Sequence, residues 1–178
     1  MKLQDIGLET GTDKATYHEY LDFYEKVLPK SNFSGRLLEI GVLDGSSLLM
    51  WHKYYPKAEI IGIDIENRGL QLDGVTILQM DSKDIQALKE LGEFDIIIDD
   101  GSHLTLDQQI SFYWLYYNQL NKAGWYIIED IHTSFRPDYV NSKYTTMEML
   151  ELLNLDVSQY RRSEDELDSM TTIIKAGQ

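Results

Sequence analysis

Cysteine is absent from the 178-residue chain. That excludes disulfides, thiolate zinc sites and cysteine nucleophiles, and it fits an intracellular protein. No apolar run approaches the ~20 residues of a membrane span. The opening MKLQDIGLETGTDK lacks the apolar core of a signal peptide. Positive charge is scarce, with 16 Lys and Arg against 30 Asp and Glu and a formal net charge of −14. A field of that sign repels phosphate backbones and acidic membranes, so neither nucleic acid nor a membrane is an expected partner. A neutral small molecule or a cationic cofactor suits it better, although solubility alone would explain the charge. With 43% hydrophobic residues, one globular domain over residues 1–178 is expected, in the cytoplasm.

Strand and helix patterns alternate along the chain, without repeats. A T-x-x-E capping box at Thr16–Glu19 predicts a helix that Pro29 closes. Apolar runs predict strands over Arg36–Ile40, Glu59–Ile65, Val75–Met80, Phe94–Asp99, Trp125–Glu129 and Met170–Lys175, the last entered from an acidic segment. Helices are expected over about Ser46–Tyr55, over Lys83–Leu91 capped by Ser82, from a capping box at Thr105–Gln108 to about Asn121, and from Thr145–Glu148 onward. Strands that read as continuous apolar runs suit a buried parallel sheet. The expected fold is α/β: a Rossmann-like, doubly wound, mainly parallel sheet of about seven strands with helices on both faces. Ligands of such sheets sit at the carboxyl ends of the strands, near the reversal of strand order.

Acids collect at those ends. IIIDDGSH (96–103) and YIIEDIH (126–132) each carry an apolar strand into a pair of acids, and acids are costly inside a core. Adjacent strand residues face opposite ways, so Asp99 and Asp100 cannot share a role. One supports the loop or the cofactor side and the other points into the cleft. If the strand ends are neighbours, Asp100, Glu129 and Asp130 can form an all-oxygen site for magnesium, manganese or calcium. Asp130 alone would otherwise read as a turn or capping residue. His103 would read as an ordinary surface histidine, but beside two acids it is a candidate proton acceptor. His132 stands near the cluster, whereas His18 and His52 read as structural or solvated.

In LLEIGVLDGSSLLMW (37–51), Gly41 and Gly45 let a ligand approach the backbone. The spacing is neither a dinucleotide G-x-G-x-x-G nor a Walker loop. IIGIDIE places Asp64 about 20 residues after Gly41, where an acid can accept from both ribose hydroxyls. Asp81 and Ser82 end the third strand, a natural place for an adenine edge. The polar stretch TSFRPDYVNSKY is a candidate substrate loop over 133–145, in which Phe135, Tyr139 and Tyr144 could cover the face of a sugar. GTDK at 11–14 reads as a turn or as part of a lid over residues 1–30.

Together GTDK, LLEIGVLDGSSLLMW, IIGIDI, FDIIIDDGSH and GWYIIEDIHTSF resemble the class I S-adenosylmethionine-dependent methyltransferases that modify sugars of macrolide antibiotics, the mycinamicin and demethylmacrocin type. The resemblance covers about residues 11–135. It implies S-adenosylmethionine at Glu39, Gly41, Gly45 and Ser46, with Asp64 on the ribose. It further implies magnesium on Asp100, Glu129 and Asp130, and His103 as general base. That leaves Asp99 on the cofactor side as support, with Asp81 and Ser82. Enzymes of the mycinamicin type carry an additional N-terminal domain not expected here, so a macrolide acceptor does not follow. The expected activity is metal-assisted O-methylation of a sugar or other diol-bearing small molecule or glycan, with a homo-oligomer open. The rivals are a nicotinamide-dependent oxidoreductase, disfavoured by the missing glycine fingerprint, and a relative of the cephalosporin-hydroxylase-like proteins. An iron hydroxylase would want two histidines and one carboxylate.

Overall fold

A computed structural model of the chain describes residues 2–66, 69–163 and 169–177. The acidic approach to the last strand falls mostly on residues 164–168 and so lies outside the described residues.

The first strand is preceded by α1 (Leu3–Thr10), α2 (Asp13–Thr16) and α3 (Leu21–Val27). The single helix expected from Thr16 does not form. Thr16 spends its hydroxyl on the Thr12 carbonyl at 3.4 Å, and Glu19 turns left-handed at φ 59°, so the helix restarts at Leu21. Then follow β1 (Arg36–Ile40), α4 (Ser46–Tyr54), β2 (Glu59–Asp64), β3 (Val75–Gln79), α5 (Ile85–Lys89), β4 (Phe94–Asp99), α6 (Thr105–Asn118), β5 (Leu120–Ile128), α7 (Thr146–Leu152), β6 (Val157–Arg161) and β7 (Met170–Lys175).

The seven strands lie in the order β3-β2-β1-β4-β5-β7-β6. The first five pair in parallel, and β7 enters antiparallel between β5 and β6. The chain starts in the middle at β1, runs out to β3, and returns to place β4 on the other flank of β1. Strand order therefore reverses between β1 and β4, and a crevice opens at their carboxyl ends. The expectation missed α1 and β6. Each is only partly buried and carries few apolar residues.

Alternation along the strands feeds two apolar clusters. Leu37, Ile60, Ile96, Ile98 and Ile127 join the cluster that holds Leu3, Tyr24, Leu48 and Trp51 from α1, α3 and α4. Leu38, Ile61, Ile97, Tyr126 and Ile128 join the cluster with Leu88, Phe112 and Leu150. The same alternation aims Glu39 and Glu129 toward the N-terminal helices, since each lies two positions from Leu37 or Ile127. Asp99, two positions from Ile97, turns the other way.

Helix starts differ from expectation where a better acceptor exists. At α7 Thr145 and Glu148 form the expected capping box. At α5 the cap is Asp84, which accepts from the amides of Gln86 and Ala87, and not Ser82. At α6 the hydroxyl of Thr105 bonds Asn141 Oδ1, and that oxygen also accepts from the Leu106 amide at 2.8 Å. One free amide at the start of α6 is thus satisfied from across the chain.

Candidate active site

A cavity of about 470 Å³ occupies the crevice at the carboxyl ends of β1, β2 and β4. One wall is the β1–α4 loop with Asp64, and Asp81, Ser82 and Lys83 close that end. The other end holds Asp100, His103 and Asp130, and the segment Gly11–Lys14 and His18 border it from the N-terminal side.

At the first end, Gly41 has φ 91°, and a Cβ there would sit 2.1 Å from the Asp100 carbonyl oxygen. Its lack of a side chain lets the β1 loop pass against the end of β4, so the close approach is to protein backbone. Gly45, at φ 81°, starts α4. Asp64 accepts from the amides of Val42 at 2.9 Å and Leu43 at 3.4 Å through Oδ2, and from Glu66 at 2.9 Å through Oδ1. Its carboxylate both holds the loop and borders the cavity. Ser46 is tied to Asp44. Asp81 accepts from the Lys83 amide, and Lys83 Nζ meets Asp107 at 2.9 Å, where Ser102 also donates at 2.8 Å.

At the second end, the carboxylates of three strand ends meet one ammonium. Lys14 is 1% exposed, and its Nζ lies 2.5 Å from Asp100 Oδ2, 2.8 Å from Glu129 Oε2 and 3.3 Å from Glu39 Oε1. Burial alone would lower its pKa, but Asp100, Glu129 and Glu39 outweigh burial and hold it well above its ordinary value. Glu39, fully buried, is pushed up to about 7 by desolvation, against the pull of Lys14 and the Ser47 hydroxyl. The other oxygen of Glu129 accepts from Tyr24 at 2.9 Å. Glu129 is therefore engaged on both oxygens.

Asp100 also belongs to a triplet with His103 and Asp130, in which one ligand atom of each lies within 4.8 Å of the others. His103 Nε2 is 3.8 Å from Asp130 Oδ2. Asp130 is fixed by the Tyr20 hydroxyl at 2.8 Å, with His18 Nδ1 at 3.5 Å and His132 Nδ1 at 3.9 Å. His103 and Asp130 both have positive φ, 59° and 50°. These are uncommon conformations that cluster at functional sites. His103 Nδ1 is buried without a hydrogen-bond partner among the described residues.

The structure thus brings Gly41, Ser46, Asp64, Asp81, Ser82, Asp100, His103 and Asp130 to one cavity. Glu39 and Glu129 lie behind its wall on Lys14. Asp99 is outside the lining and faces the Tyr126 hydroxyl at 3.4 Å, with its pKa pushed to about 7 by burial. Residues 133–145 do not line the cavity either; Asn141, Ser142 and Tyr144 are pinned to α6 by Thr105 and Gln109. Sequence reasoning missed Lys14, Tyr20, Tyr24 and the placement of His18. The GTDK motif was the available signal. A lysine in a polar turn reads as solvated until three acids, two of them buried, surround it.

No protein-family model matches the chain. Over 150 residues it is 32% identical to the 8-demethyl-8-alpha-L-rhamnosyl tetracenomycin-C 2'-O-methyltransferase of Streptomyces olivaceus, a match covering 77% of this chain and 39% of that protein. It is 36% identical over 117 residues to the mycinamicin VI 2''-O-methyltransferase of Micromonospora griseorubida, covering 58% of this chain and 29% of that one. The chain thus spans well under half the length of these curated relatives. Among solved structures, the MycE methyltransferase from the mycinamycin biosynthetic pathway, in complex with Mg, SAH and mycinamycin VI, superposes with a TM-score of 0.83 at 23% identity, covering 100% of this chain and 54% of that one. A ribosomal RNA methyltransferase from Plasmodium falciparum matches with a TM-score of 0.62 at 19% identity, covering 89% and 93%. In sequence the chain is similar to sugar O-methyltransferases, and in fold to a methyltransferase solved with Mg and SAH.

Proposed function

We propose that this doubly wound domain is a metal-assisted O-methyltransferase that uses S-adenosylmethionine to methylate a hydroxyl of a sugar or another diol-bearing small molecule. One observation carries the reading. The Asp100–His103–Asp130 triplet, after β4 and β5, and Asp64, at the end of β2, line one cavity on either side of β1, so an acceptor at the first and a nucleoside at the second would face each other. The relatives named above are sugar O-methyltransferases, and the similar MycE structure contains Mg and SAH.

The residues fit a divalent ion. Two carboxylates from adjacent strand ends, with room beside them, suit magnesium, which keeps waters and takes one or two protein carboxylates. Asp100 and Asp130 would hold it, with Glu129 behind them. The residues also fit an adenosine ligand, with Asp64 placed for the ribose and Asp81 and Ser82 for the base. When bound, the ion would acidify a chelated hydroxyl, and the sulfonium cofactor would supply the methyl group.

The chain's own groups do the rest. His103 takes the hydroxyl proton at Nε2, the nitrogen that faces Asp130. Asp130, held by Tyr20, keeps that imidazole oriented and stabilises it once charged. Gly11–Asp13 and Ser102 flank the cleft. Holding oxygen and methyl in line accounts for much of the acceleration.

The direct test is calorimetric titration with S-adenosylhomocysteine, followed by magnesium-dependent methyl transfer to rhamnosyl and other vicinal-diol acceptors. Binding is expected, and Asp64→Ala should weaken it by about tenfold, the order of one charge-assisted hydrogen bond. Absence of binding overturns the cofactor reading. Methyl transfer that survives in chelator overturns the metal reading.

A further inference from the structure

Lys14 has no assigned part in the reaction above, yet it is the most completely buried cation described, and its three carboxylate partners come from three different strands. One of the three, Asp100, also lines the cavity beside Asp130 and is a residue that a divalent ion there would draw on. Its ammonium approaches Asp100 Oδ2 to 2.5 Å and Glu129 Oε2 to 2.8 Å. A carboxylate shared between a fully buried lysine and a dication cannot serve both at full strength, because at such distances the two cations repel each other. Asp130 differs: its contacts are Tyr20, His18, His103 and His132, and among the described residues no lysine pairs with it.

We propose that Lys14 is the resident counter-cation of the metal site, a positioning residue with which the divalent ion competes for Asp100. This rests on the metal-assisted reading given above. The physical gain is twofold. Without a metal, the lysine keeps three converging carboxylates from repelling one another. With a metal, it holds affinity down, so that the site exchanges its ion, and the segment carrying Gly11–Lys14 gives up its tie to Asp100 while keeping those to Glu39 and Glu129. Lys14 is the sole described link of that kind between the segment and all three strands, and Tyr24 supports it by holding the second oxygen of Glu129.

The test is Mn²⁺ binding, followed by electron paramagnetic resonance on protein without acceptor. Lys14→Met keeps the length and apolar stem of the side chain and removes the charge. It should bind Mn²⁺ at least about tenfold more tightly, whereas Lys14→Arg should stay within about threefold of the parent. Unchanged or weaker binding in a Lys14→Met protein with parental circular dichroism overturns the proposal. Asp130→Asn is the control. If it leaves Mn²⁺ binding intact, the metal-site reading itself has failed. If it abolishes binding while Lys14→Met changes nothing, only the role of Lys14 falls. Should Lys14→Met not fold, hydrogen exchange on the parent protein decides. Mn²⁺ is expected to speed exchange at amides of residues 11–18 by drawing Asp100 off the lysine, and unchanged or slower exchange overturns the proposal.

Discussion

His103 Nε2 lies 3.8 Å from Asp130 Oδ2, although the two residues belong to loops after different strands. Parallel pairing of β4 with β5 puts those loops side by side. The distance is longer than a hydrogen bond, so the carboxylate biases the imidazole electrostatically and leaves Nε2 open to an acceptor hydroxyl. His103→Ala should lower kcat by about 10²–10⁴ while leaving the calorimetric affinity for S-adenosylhomocysteine unchanged. Retained turnover would remove His103 from the base role.

Tyr20 reaches Asp130 at 2.8 Å and the Met170 carbonyl at 3.2 Å. Burial first, and the Asp130 charge second, raise its pKa, so it remains a donor at any working pH. Tyr20→Phe should cost about 1–2 kcal/mol of stability in urea titration and raise the magnesium concentration needed for half-maximal activity, with cofactor affinity unmoved.

Glu39 couples stability to pH. Its folded pKa, about 7, lies above the model-peptide value of 4.5. The proton is bound more tightly in the folded state, so this contribution is full below about 4.5 and is lost as pH rises through about 7. Between those limits the protein without metal or cofactor should lose roughly 3 kcal/mol from this group. Glu39→Gln, which keeps an acceptor for the Ser47 hydroxyl, should flatten that slope in denaturation series from pH 4.5 to 8. An equal slope in the variant would show that other groups carry it.

Gly41 and Gly11 separate two glycine effects. Both have positive φ, 91° and 78°, but a Cβ at Gly41 meets the Asp100 backbone while one at Gly11 meets nothing within 4 Å. Gly11→Ala should cost about 1 kcal/mol of strain. Gly41→Ala should cost at least about 2–3 kcal/mol and, by shifting Asp100, weaken Mn²⁺ binding as well. Similar melting temperatures for the two variants would contradict this.

Much of the frame was legible because apolar runs speak locally. The bounds of β1, β4 and β7 agree with the sequence pattern, and the Thr145–Glu148 box caps α7 as its spacing implies. Caps failed where a distant group outbid the local one, as Asn141 does at the start of α6. The edge strand β6 was missed because VSQYR, with its two most buried positions only half-buried, carries almost no apolar pattern.

The sequence by itself determined the alternation of strands and helices, the acids at the strand ends and the glycine at the first loop. Each follows from residue type and short spacing. Only the tertiary structure decided how the acids divide. Period-two alternation along β1 and β5 sends Glu39 and Glu129 inward to Lys14, Asp130 meets His103 at the cavity, and Asp100 faces both. Lys14 lies 86 residues from Asp100 and 115 from Glu129. No local pattern spans such a separation, and the ammonium is worth burying only once the sheet has gathered its three counter-charges.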